Sequence, residues 1–135
     1  MKKTKQQPIL SLESKTAFLK LSDIEYLGSG AYRCRLQIES NGFFCDRPFG
    51  FDNDEYFVSK ARDTINGDCP EADLMELQAD SFIRLKVCAG NGILVSGYIV
   101  EESDLTQSLE FAFSVSHKIA SQFVTAFEKM VRKNT

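Results

Sequence analysis

Between Ala31 and Glu39 the chain alternates, with Tyr32, Cys34, Leu36 and Ile38 apolar and Arg33, Arg35, Gln37 and Glu39 polar. A period of two predicts a half-buried antiparallel strand. Asn41-Gly42 follows. A type I′ turn needs positive φ at both central residues, which Asn and Gly tolerate, so Phe43 to Arg47 is expected to return as a second strand ending at Pro48-Phe-Gly-Phe51. The same signature recurs where Phe82–Cys88 and Ile93–Glu101 flank Asn91-Gly92. A turn centred there pairs Val87 with Ser96, Leu85 with Tyr98 and Ile83 with Val100. Ile83, Leu85, Val87, Leu94, Tyr98 and Val100 then form a core face. Arg84, Lys86 and Cys88 lie opposite Ile99, Gly97 and Val95 on the other.

The remaining pattern supplies more strands and two helices. Ile9–Leu12 reads as an edge strand, Ala17–Leu21 as a strand and Asp23–Leu27 as a further short one, before a turn at Gly28-Ser-Gly30. Phe57, Val58, Ala61 and Ile65 fall on one helical stripe, with Asp52 and Glu55 at capping-box spacing and Gly67 and Pro70 as stop signals. The spacing predicts a helix over about 53–66. Leu74–Gln78 reads as a strand, Ala79-Asp80-Ser81 as a turn and Glu101–Asp104 as a polar loop. Leu109, Phe111, Phe113 and Val115 alternate as another strand. Ser116 is a candidate N-cap for a second helix over about 117–132, whose stripe is Ile119, Ala120, Phe123, Val124, Phe127, Met130 and Val131. The expected fold class is α+β, a twisted antiparallel sheet built from hairpins with both helices on its apolar face.

Composition narrows the picture. With 135 residues, 43% hydrophobic and 26% charged, the chain is expected to be one globular domain, 1–135, with residues 1–8 as a basic tail. No apolar run is long enough to cross a membrane, and no apolar segment follows Met1-Lys-Lys-Thr-Lys5 as a signal peptide requires. A cytoplasmic protein without membrane association is expected. Eleven Phe and no Trp imply a Phe-rich core. The net charge of -3 gives no footprint for nucleic acid. It is unevenly spread: residues 46–80 hold ten acids against three bases, and residues 1–20 five bases against one acid.

Candidate chemistry is sparse. Gly28-Ser-Gly30 lacks the following Lys-Ser/Thr and the helix that a phosphate loop needs. Asp63–Asp68 does not extend into a calcium loop. Cys34, Cys45, Cys69 and Cys88 fit no zinc spacing and read as free thiols. His117 is the only histidine and stands beside Ser116 at a helix start, with no third group evident to orient a Ser-His pair. Arg84 and Lys86 form a short basic strand face, without the aromatic motif that stacks RNA bases. No catalytic, metal or cofactor residues are expected. The acidic stretch is the candidate partner surface, with Asp68, Glu71, Asp73 and Glu76 as its first residues, because such charge steers a basic partner.

From Phe49 onward the order of features resembles the WapI-like immunity proteins of bacterial toxin systems. The stretches that carry the resemblance are Phe49-Gly-Phe-Asp52, Tyr56–Ala61, Leu74-Met-Glu-Leu77, Phe82-Ile-Arg-Leu85, Gly97-Tyr-Ile-Val100 and Leu109–Phe113 before the last helix. That family often has a polar pair such as Asp-Gln before the last helix, where this chain has Ser116-His117. The resemblance implies a non-enzymatic protein that binds and blocks a cognate toxin domain, without catalytic residues or cofactor. Two other expectations differ in class. A small-molecule or lipid binder would hold an apolar pocket between sheet and helices. An enzyme would gather polar groups around His117.

Overall fold

The computed structural model describes residues 9–52, 55–77, 80–88, 90, 92–102 and 106–134. Its first half is a meander of β1 (Leu10–Glu13), β2 (Phe18–Gly28), β3 (Ala31–Ser40) and β4 (Phe43–Asp52), followed by α1 (Glu55–Ile65). Its second half repeats that order with β5 (Glu71–Met75), β6 (Phe82–Cys88), β7 (Gly92–Glu102), β8 (Thr106–Ser116) and α2 (His117–Lys133). All strand pairs are antiparallel. The α+β class and antiparallel pairing follow the sequence pattern, but the strands divide into two sheets, ordered β1-β2-β3-β4 and β5-β6-β7-β8. Both helices were expected on one sheet face. Instead α1 packs on β5, β6 and α2, while α2 touches β1 of the first sheet and β7 and β8 of the second.

The first hairpin forms as its turn residues predict. Asn41 has φ 54° and Gly42 φ 84°, and the register pairs Ser40 with Phe43 and Ile38 with Cys45. β4 then runs on through Pro48 to Asp52. Proline lacks an N–H and is tolerated here because β4 is an edge strand. Asp23–Leu27 is not a separate strand. It continues β2 across a bulge, with Asp23 at φ 50° and Ile24 turned into the core.

The second hairpin corrects the expected register. Cys88 pairs with Gly92, Leu85 with Val95 and Ile83 with Gly97, so the connection is 89–91, three residues long. This shift of three turns β7 over, because side chains alternate with a period of two. Ile93, Val95 and Ile99 are buried, Leu94, Ser96 and Tyr98 are half-buried on the opposite face, and Val87 is exposed. The physical reason is Gly97, which lies opposite Phe111. A Cβ there would stand 2.9 Å from the Phe111 ring and 2.3 Å from the Phe82 carbonyl oxygen. The glycine belongs on the core side, where that ring lies across it. This packing outweighs the local preference of Asn91-Gly92.

The remaining boundaries shift modestly. β5 begins at Glu71 rather than Leu74, and β7 extends through Glu102 into the expected loop. Asn53 and Asp54 at the start of the expected helix, the turn residues Gln78, Ala79 and Asn91, Asp104 of the expected loop, and the tail 1–8 lie outside the described residues. For α2, Ser116 is extended and its Oγ accepts from the Ile119 N–H at 3.1 Å, as the capping pattern requires.

Phe rings join the halves. Phe127 of α2 packs on Phe51 of β4 at 5.4 Å, Phe57 of α1 at 5.1 Å and Phe123 at 6.2 Å, and all four are buried. Rings at these separations fill the space between sheets and helices.

Candidate functional site

β4 is the last strand of its sheet, so one side of its backbone has no neighbour in that sheet. In a two-residue hairpin, Ser40 and Phe43 exchange hydrogen bonds, so Phe43, Cys45 and Arg47 turn their backbone groups towards β3. Phe44, Asp46, Pro48 and Gly50 turn theirs to the open edge. The far end of this edge is covered, since the Leu77 N–H donates to the Gly50 carbonyl at 2.8 Å. Arg47 and Glu76 reinforce that junction at 3.2 Å, with only 7% of the Glu76 side chain exposed.

The near end of β4 presents two adjacent phenylalanines, with Phe43 66% and Phe44 57% exposed. Adjacent residues of a strand point to opposite faces, so the pair covers both sides of the edge. Beside them runs a crevice of about 350 Å³, bounded by Phe43–Arg47 on one side and by Ile99 and Gln107–Leu109 on the other. Its floor is apolar at Ile99 and Leu109, and Asp46, Arg47, Gln107 and Ser108 supply polar groups along its rim. Asp46 is held by Arg35, whose Nε donates to Oδ1 at 2.8 Å, and this bond keeps the Asp46 carboxyl below its ordinary pKa. Sequence reasoning passed over this pair. The signal was legible: two large apolar residues in succession after Asn41-Gly42 break the alternation, so one of them has to face away from the core.

The four acids expected as a partner surface are separated. Asp68 is exposed in the turn after α1, where its N–H donates to the Asp63 carbonyl at 2.8 Å. Glu71 and Asp73 lie on β5 and hold Arg84, at 3.1 Å and 2.7 Å. Glu76 holds Arg47. Among the described residues Asp68 is therefore the one acid of the four with no ion pair. Arg84 also stacks over Phe82, 4.9 Å from the ring centre, so the basic strand face is partly neutralised by the acids beside it.

Polar groups do not converge on His117. Its Nε2 donates to the Ile65 carbonyl at 2.9 Å, tying the start of α2 to the end of α1, while Ser116 Oγ is engaged as the helix cap. The groove between the helices is lined by Arg62, Glu128 and Arg132, which pair with one another. The hollow on the outer face of the first sheet is lined by Glu25 with Arg33 and Asp46 with Arg35, again paired. Cys34, Cys45, Cys69 and Cys88 are free thiols. Among the described residues no group of three or more His, Cys, Asp or Glu is arranged to hold a metal ion, and no helix is long and apolar enough to cross a membrane. Comparison with protein-family models, with curated proteins and with solved structures gives no match.

Proposed function

We propose that this chain is a non-enzymatic protein-binding domain that seats its partner at the Phe43–Phe44 end of β4. The observation that carries the reading is the exposure of two adjacent phenylalanines on an edge strand beside an apolar-floored crevice. Large aromatic side chains left in water lose the burial that normally stabilises them, and they anchor protein interfaces when covered. An extended segment of the partner, apolar at alternate positions, fits this edge by adding a strand to it. The packed Phe rings between sheets and helices favour this reading over an apolar ligand buried in the interior.

The partner in this proposal is a toxin domain that the protein neutralises, as the resemblance to WapI-like immunity proteins implies. Of the four marked acids, Asp68 is the one left exposed and without an ion pair among the described residues to steer a basic partner, and Glu76 reaches the crevice through Arg47. The test is a photo-crosslinking residue at Phe44, compared with one at Gln37 on β3. The captured protein is then purified and titrated against the wild type and a Phe43→Ser, Phe44→Ser variant. At least a tenfold loss of affinity, with unchanged circular dichroism, is expected. Equal affinity of both forms would overturn the site, and a captured protein whose toxicity persists when bound would overturn neutralisation.

A further inference from the structure

We infer that the chain is built as two copies of one ββββα unit that dock as a pair, the helix of each copy packing on the first strand of the other. This inference is independent of the binding reading. The strand order is the same in both halves, and each meander ends in a helix. The spacing is also the same. From Leu10 to Ala72 is 62 residues, and the same interval separates Leu12 from Leu74, Phe49 from Phe111 and Phe51 from Phe113, all of them buried. Glu55 and His117, which open the two helices, are again 62 apart. So are the buried helix positions Val58 and Ala120, Ala61 and Phe123, and Ile65 and Phe127.

Turns obey the same interval. Gly28-Ser-Gly30 joins β2 to β3, and Gly90-Asn-Gly92 joins β6 to β7. The first glycine of each has positive φ, 88° at Gly28 and 80° at Gly90. Both turns therefore need a residue without a Cβ at the same place. In β3 and β7 the buried positions Cys34 and Val95, and Ile38 and Ile99, are 61 apart, a slip of one residue from the rest. Beyond this framework the residues differ, which is why the repeat is faint in the sequence.

The helices show how the copies dock. α1 packs on β5 and β6 of the second copy, and α2 packs on β1, the first strand of the first copy, while also touching β7 and β8 of its own sheet. They meet each other through Phe57 and Phe127 and through Arg62 and Glu128 at 2.7 Å. The reciprocal contact of each helix with the first strand of the other copy is the pairing of a two-fold dimer, made within one chain. The crevice beside Phe43 lies on the same junction, since Cys45–Arg47 and Gln107–Leu109 are equivalent segments. The link from α1 to β5, residues 66–70, thus occupies the place that a link from α2 to β1 would occupy.

A circular permutant tests this. It begins at Asp68, ends at Gly67 and joins Thr135 to Met1 through a short Gly-Ser linker. A control permutant is opened inside a unit, between Asn41 and Gly42. The first permutant is expected to keep the parent's amide spectrum and to unfold in one cooperative transition. An unfolded or differently paired first permutant beside a folded control would overturn the inference. If neither folds, a full-length chain with a protease site at 67–69 decides. Nicked halves that co-elute, with an unfolding midpoint that depends on concentration, carry the inference, and halves that separate overturn it.

Discussion

Cys34 faces the core behind β4, and its thiol donates to the Phe49 carbonyl at 3.4 Å. Burial, with the charge of Glu76 adding to it, pushes this thiol up to about 12. A group whose pKa is raised on folding favours the protonated form, so its stabilisation is complete below the unfolded value of 9.0 and drains away as pH rises towards about 12. The melting temperature should fall across that window, and a Cys34→Ala variant should lack this part of the fall. Native protein should also leave Cys34 unmodified by a thiol reagent that counts four thiols after unfolding. Glu76 gives a second prediction. Its side chain and that of Arg47 are shielded from water, 7% and 17% exposed, so Glu76→Ala breaks a largely buried ion pair and should cost about 3 kcal/mol in denaturant unfolding. Gly97→Ala forces a Cβ into the Phe82 carbonyl and the Phe111 ring and should cost about 2 kcal/mol or more by the same measurement. The sequence marked Glu76 as an acid to test, but its partner stands 29 residues away across a sheet junction, and no local pattern encodes that distance.

Among elements, the helices were the most legible. The stripe from Ala120 to Val131 and the Ser116 cap define α2 within the chain itself, since both depend on contacts three or four residues apart. Ser116→Ala should therefore cost about 1 kcal/mol of unfolding free energy. The two Asn-Gly hairpins divided. Asn41-Gly42 set its register because the flanking alternation agrees with it, with Leu36 and Ile38 inward and Arg35 and Gln37 outward. At Asn91-Gly92 the strand that follows is apolar on both faces, so alternation could not choose between registers, and Phe111 over Gly97 chose. The contact between helices adds a pH dependence. Arg62 at 2.7 Å holds the Glu128 carboxyl below its ordinary 4.5. A depressed carboxyl contributes above that value and loses its contribution as pH falls through the folded pKa. Wild type should thus lose stability below pH 4.5 more steeply than a Glu128→Gln variant, as thermal melts in an acid series will show.

For the whole molecule, the junction between the two ββββα halves is centred on Phe127, which touches β4 and α1. Phe127→Ala should cost about 3–5 kcal/mol, and both halves should unfold together in a single transition. By itself the sequence determined the α+β class, both helices, the β3–β4 turn and most inward-facing positions. Those features rest on hydrogen bonds, turn geometry and periodicities that act over a few residues. Only the tertiary structure decided that the eight strands of the described residues form two sheets rather than one, that β7 turns over, that three of the four marked acids are spent on Arg84 and Arg47, and that Phe43 and Phe44 stay outside. Each of these depends on which surfaces meet across dozens of residues, where burial and packing are shared among elements that the local pattern describes one at a time.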